Sequence, residues 1–168
     1  MTDCENSGVV TNSALTPVCV GGISGAFNGT MTNTKNSGKV VNAVDFTSST
    51  AGKESEVGGI AGYANATFTN VDNSAEVASA AEGSFASGFV GGFGAASEPI
   101  TWTGTVNCDV TGAATTKASA LGRFRSEGTT VINLGADGAP FAIKGGAASL
   151  PVCGLANGNS VNEVNVSH

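Results

Sequence analysis

The side chains that carry most enzymatic and metal chemistry are sparse in this chain and poorly spaced for it. Histidine occurs once, as His168 at the last position, and terminal residues rarely have the supporting neighbours that a catalytic or metal-bound imidazole needs. Ser-His-Asp, Cys-His and HExxH arrangements and most zinc sites are excluded on that ground. No GxxxxGK[ST] loop occurs, and the glycine pairs lack the strand-loop-helix setting of a nucleotide fingerprint. Glu54 and Glu56 stand two apart, as they would on one face of a strand, which is a spacing open to general acid-base work; in a loop rich in Ser and Lys they read as two solvated carboxylates. Asp45, Asp72 and Asp109 are the other acids that a polysaccharide-cleaving cleft would draw on, and they form no cluster in the sequence. The expectation is a chain that is not an enzyme and has no catalytic, cofactor-binding or metal-ligating residues.

The balance of the composition points the same way. Of 168 residues, 13 are acidic and 7 basic, for a net charge of −6. Charged residues make up 12%, about half the ~25% usual in a globular domain. With no basic cluster, nucleic acid and anionic membrane surfaces are disfavoured as partners. An apolar content of 40% and a mean hydropathy of +0.13 argue against disorder. The scarcity of Leu beside Val, Thr and Phe argues against helical bundles. No stretch approaches the ~18 apolar residues that span a bilayer, and residues 1–10 have no apolar secretion-signal core. Membrane insertion is not expected.

What must position any surface chemistry is a repeat. Val20-Gly21-Gly22-Ile23-Ser24-Gly25 recurs as Val57-Gly58-Gly59-Ile60-Ala61-Gly62 and as Val90-Gly91-Gly92-Phe93-Gly94-Ala95, with a decayed copy at Ala120-Leu121-Gly122-Arg123-Phe124. Thirteen residues after the start of a block comes an Asn closing a Thr-rich strand: Asn33, Asn70 and Asn133. In the third copy it is Asn107, seventeen after Val90, with the excess around Ser97-Glu98-Pro99. Behind that Asn the text repeats again, as 33–40, 70–77, 107–112 and, opening the chain, 3–10. Apart from that excess, only the segment leading back to the next glycine block varies in length, so loops are expected on one side, chiefly 43–56 and 78–88.

Each Thr-rich segment has period two, which places Met31, Phe68 and Val131 inward and Thr30, Thr32, Thr67, Thr69, Thr101, Thr103 and Thr130 outward. A unit of about 35 residues cannot bury its apolar side alone, so units must stack and share a core. The expected fold is all-β, a parallel β-helix or solenoid of about four glycine-rich coils over residues 1–135. Residues 136–168 leave the pattern and are expected to form a C-terminal cap, or an edge strand at 160–166 that adds to another copy.

The block Val57–Gly62, its copies at Val20 and Val90, the Thr strand to Asn70 and the run 73–77 resemble the GLUG-motif repeats of bacterial surface and secreted proteins, including adhesin-like and IgA-peptidase-like chains. The resemblance covers about residues 3–135. It implies a right-handed β-helix in an extracellular bacterial module, on the cell surface or secreted as a processed segment, without catalytic residues of its own. On that reading the chain is a stiff, non-enzymatic structural and adhesive module whose variable loops meet a host glycan or protein. The alternative is a subunit of an extracellular fibre that self-associates end to end through open coils and the C-terminal strand. An ice-binding solenoid, suggested by the Thr-x-Thr spacing, and a polysaccharide-active β-helix are more distant readings.

Four cysteines remain. The repeat register puts Cys4 and Cys108 in one column three coils apart, about 14 Å at strand spacing and beyond the ~7 Å that a disulfide allows between α-carbons. Pairing of Cys4 with Cys19 and of Cys108 with Cys153 is the scheme left open, beside the alternative of buried free thiols.

Overall fold

A coil of short alternating strands has one apolar side and two open hydrogen-bonding edges, and stacking identical coils satisfies both. The structure, a computed structural model, describes residues 1–14, 16, 18–43, 54–80, 84–112, 117–146, 152–154 and 158–168. It is an all-β solenoid of about four turns whose described strand pairs are parallel. Three walls recur. The valine wall stacks Val10–Asn12, Val40–Asn42, Val77–Ser79 and Val110–Gly112. The glycine wall stacks Cys19–Gly21, Glu56–Gly58, Phe85–Ser87 and Ala118–Ser119. The threonine wall is the longest, with Ser24–Asn36 paired to Ala61–Asn73 along its length, followed by Val90–Phe93 and Ile100–Asn107 in the third coil.

The core lies between the walls. Met31, Phe68, Trp102 and Leu134 form one inward column of the threonine wall, all at most 1% exposed. Around it Phe89, Phe93, Phe124 and Phe141 make edge-on or tilted contacts with ring centroids 4.4–5.4 Å apart. The indole N–H of Trp102 donates to the Ala66 carbonyl at 3.0 Å, so the largest core side chain leaves no orphaned polar atom. Val20, Val40, Val57, Val77 and Ala86 form a second, smaller cluster between the valine and glycine walls.

The two asparagines of each early coil do different work. Asn33 and Asn70 have φ of 50° and 52°, the left-handed region that Asn tolerates, and their side chains form an exposed ladder in which Asn70 donates to Asn33 and Asn33 to Asp3. Asn36 and Asn73 are 1% exposed at the corner. Asn36 donates to the Gly59 carbonyl and to Asn73 Oδ1, each at 2.9 Å, while its own Oδ1 accepts from Asn6 and from the Gly38 N–H. Asn36→Ala is expected to lower stability by about 3 kcal/mol in urea unfolding, because it strands several buried partners at once.

The later coils depart from the repeat text. Val57 pairs with Val20 and Gly58 with Gly21, as the sequence implies, but opposite them in the third coil stand Ala86 and Ser87. Val90-Gly91-Gly92 lies four residues further along, beside 61–63. The Asn73 side chain, which would sit under a second corner glycine, reaches the carbonyl of Gly88. The offset between paired strands then changes from 29 at Phe93 to 34 at Trp102, across the loop at 94–99, and shifts again by one at Gly104. Gly104 (φ 134°) and Gly135 (φ 78°) take over the positive-φ role in the third and fourth coils. Asn107 therefore pairs with Lys144 and closes a turn onto the Asp109 N–H, and Asn133 pairs with Thr101 and accepts from Asn162. Neither stands in the Asn33–Asn70 column.

The same shifts correct three orientations. Ile132 and Leu134 take the inward places and leave Val131 half-buried. Thr130 is buried, its hydroxyl bonded to the backbone of Ala96, and Thr103 is buried where its hydroxyl accepts from the Asn70 N–H. Beyond residue 135 the stacking continues although the repeat text ends. Phe141–Lys144 pairs with 104–107, Ser160–Glu163 with Val131–Leu134, and Val166–Ser167 with Phe141 and Ala142.

Candidate functional site

Most of the unusual chemistry of the described residues gathers at the bend between the glycine and threonine walls. Cys19, Glu56 and Phe85 occupy one column of the glycine wall, and Lys117 precedes Ala118, the partner of Ala86, so it continues that column. Their chain neighbours Val20, Val57, Ala86 and Ala118 fill the core, so period two turns this column away from it. Across the bend, Ala26, Tyr63, Gly92 and Arg123 form the facing column of the threonine wall. Gly92 makes the site: a β-carbon there would fall against the Glu56 carboxylate, so only a glycine lets that side chain lie across the wall.

Glu56 is 1% exposed and is held by Arg125. Arg125 Nε lies 2.8 and 2.9 Å from the two carboxylate oxygens, and Nη2 also donates to Oε2. This fork spends both oxygens. The hydrogen bonds to Glu56 raise the pKa of Arg125 above its ordinary value. The Arg125 guanidinium carbon lies 3.9 Å from the centroid of the Tyr63 ring, and Nη2 is 3.5 Å from Cys19 Sγ. Arg123 is placed differently. Its guanidinium carbon lies 3.4 Å from the Phe85 centroid, with Lys117 Nζ 4.9 Å from the same ring. Nη2 of Arg123 approaches Glu56 at 3.5 Å and Glu54 at 3.7 Å, and its Nε is buried with no hydrogen-bond partner. Burial lowers the pKa of Arg123, outweighing the two carboxylates nearby.

No protein-family model, curated protein or solved structure matches this chain. Glu54 and Glu56 are indeed drawn into one cluster, but as partners of arginines. Asp72 and Asp109 are elsewhere, accepting from the backbone N–H groups of Thr105 and Gly146; Asp45 lies outside the described residues. His168 is at the surface, 3.5 Å from Glu163. Among the described residues no group of three or more His, Cys, Asp or Glu is placed to hold a metal, and no helix is long and apolar enough to cross a membrane.

The four cysteines are unpaired in this structure, the alternative that the sequence leaves open beside the Cys4–Cys19 and Cys108–Cys153 pairings. Cys19 faces Glu56 and Arg125, and burial followed by the Glu56 charge raises its pKa. Cys4 sits beside Thr34, one residue before the Glu5–Lys35 pair, and its thiol turns to the Thr2 carbonyl. Cys108 follows Asn107, whose register shift takes it out of the Cys4 column. The Cys108 and Cys153 thiols are pushed up to about 12 by burial.

A second surface runs along the axis at the corner between the threonine and valine walls. It is a groove of about 490 Å³ lined by Glu5, Lys35, Asp72, Thr105 and Lys144 among others. Glu5, Lys35 and Asp72 alternate in sign on adjacent strands, so their fields largely cancel.

Arg123 and Arg125 are the functional residues that the sequence reading passed over. They are the only arginines in the chain; Arg123, which pairs with Gly92, falls in the decayed fourth copy and Arg125 directly follows it. The break in the repeat was the available signal.

Proposed function

We propose that the chain is a non-enzymatic adhesive module of a bacterial extracellular surface protein, of the GLUG-like kind that its repeats resemble. One observation carries the reading. The longest variable segments connect the valine wall to the glycine wall, joining 42 to 56, 79 to 85 and 112 to 118, with a smaller insertion at 94–99, so a regular scaffold gathers most of its variation at one corner. Binding sites concentrate on such loops when a rigid body holds them. The arginine cluster borders the same corner, since Glu54, Phe85 and Lys117 are within a few residues of where those connections end.

The test is capture. Purified chain is screened on glycan and host-protein arrays, and any partner is retested against variants with residues 44–53 or 81–83 replaced by Gly-Ser segments of equal length. Capture abolished by a replacement that leaves the melting transition unchanged is the expected result. No captured partner, or capture that survives both replacements, overturns the reading.

A further inference from the structure

We propose that Arg123 and Lys117, set against the Phe85 ring, form a binding site for the carboxylate of a small acidic ligand such as a sugar acid. Glu56 takes its hydrogen bonds from Arg125 and the Cys19 thiol, whereas Arg123 has an Nε with no partner among the described residues. Its contacts with Glu54 and Glu56, at 3.7 and 3.5 Å, are ion-pair distances only. What fixes Arg123 is the Phe85 ring beneath the guanidinium. A planar guanidinium pinned through its face keeps its edge donors for an acceptor in its plane, and a carboxylate is the acceptor that matches two of them.

Lys117 adds a second cation beside the same ring, and its side chain is exposed. Among the described residues the cluster holds three cations against Glu54 and Glu56, an excess of one positive charge within a chain of net charge −6. Burial of Arg123 without a full complement of acceptors works in the same direction, because an anion of the ligand would repay the lost hydration. The overall negative charge also selects for size. A polyanion would be repelled by the rest of the surface, whereas a single carboxylate meets mainly the local field within a Debye length of ~8 Å.

The inference rests on the adhesive reading for its purpose but not for its chemistry, and the experiment separates the two by using small acids alone. Because the chain has two arginines, its ¹⁵N spectrum holds two side-chain Nε–Hε resonances, assigned with Arg123→Lys and Arg125→Lys. Titration with sodium glucuronate, acetate and glucose is expected to move the Arg123 resonance with the acids and leave it with glucose. Arg123→Gln should weaken glucuronate binding at least about tenfold, and Lys117→Gln by a smaller factor. The Arg125 resonance serves as the check that the staple to Glu56 is intact in each variant. A response to glucuronate without acetate would support the site and assign it to sugar acids. No movement with either acid, equal movement with glucose, or unchanged binding in folded Arg123→Gln would overturn it. Loss of array capture with the titration intact would sink only the adhesive reading.

Discussion

Gly91→Ala is expected to leave the chain unfolded, or to cost more than about 4 kcal/mol if it folds at all. A β-carbon at Gly91 would stand 2.5 Å from the backbone nitrogen of Val57 and 2.7 Å from the carbonyl carbon of Glu56. These are backbone atoms of the coil beneath, in strands paired on both sides, and neither can turn aside as a side chain would. Relief would require the second and third coils to separate where Glu56–Gly58 and Phe85–Ser87 are hydrogen-bonded. Gly29→Ala is the matching control. Gly29 has a positive φ, of 109°, but nothing lies within 4 Å of its β-carbon position, so only the conformational strain of about 1–2 kcal/mol remains. Circular dichroism and urea midpoints compare the two. Similar midpoints for both variants would show that the coils are not packed as closely as the walls imply.

The second large effect is expected from Arg125→Ala. Glu56 is 1% exposed and receives its strong hydrogen bonds from Arg125, so the variant leaves a buried carboxylate with only the longer Arg123 contact and the weak Cys19 thiol bond. Breaking a buried pair from one side typically costs about 3–5 kcal/mol. Because the Arg125 side chain is itself 43% exposed, water can reach part of the vacated space and the lower end of that range is expected. Replacing both partners, as in Glu56→Met with Arg125→Met, should restore part of the loss, since it removes the stranded charge together with its partner. Urea unfolding of the two single variants and the double variant measures this. An Arg125→Ala midpoint equal to that of the parent would mean that the pair does not hold the coils together.

The solenoid itself was legible because its determinants are local and periodic. The Val-Gly-Gly text at Val20 and Val57 stacks in the register that the sequence implies, and Met31 and Phe68 point inward as alternation requires. The third coil was misread because Ser87-Gly88 and Gly91-Gly92 compete for one role there. The corner is served by Ser87-Gly88, while Gly91-Gly92 allows close packing of the next wall. A four-residue slip in the strand was hidden by the nearly equal excess in the 94–99 loop. The charged cluster was less legible for a different reason. Its members come from all four coils, and nothing in the spacing of Cys19, Glu56 and Arg125 announces contact. Only the replacement of glycine text by Arg123 and Arg125 hinted that the last copy had been put to another use.

That cluster changes how the molecule should come apart. A stack whose coils touch only their neighbours can fray from either end, one turn at a time, with each loss independent of the next. Here Arg125 reaches back 69 residues to Glu56 and 106 residues to Cys19. The fourth turn is thereby tied to the second and the first. Unwinding that turn exposes the Glu56 carboxylate two coils below, and melting the lower coils frees both arginines above. The staple converts a string of weakly coupled turns into a single cooperative unit, so the chain should lose its structure in one transition where an unstapled solenoid of the same length would unravel by degrees.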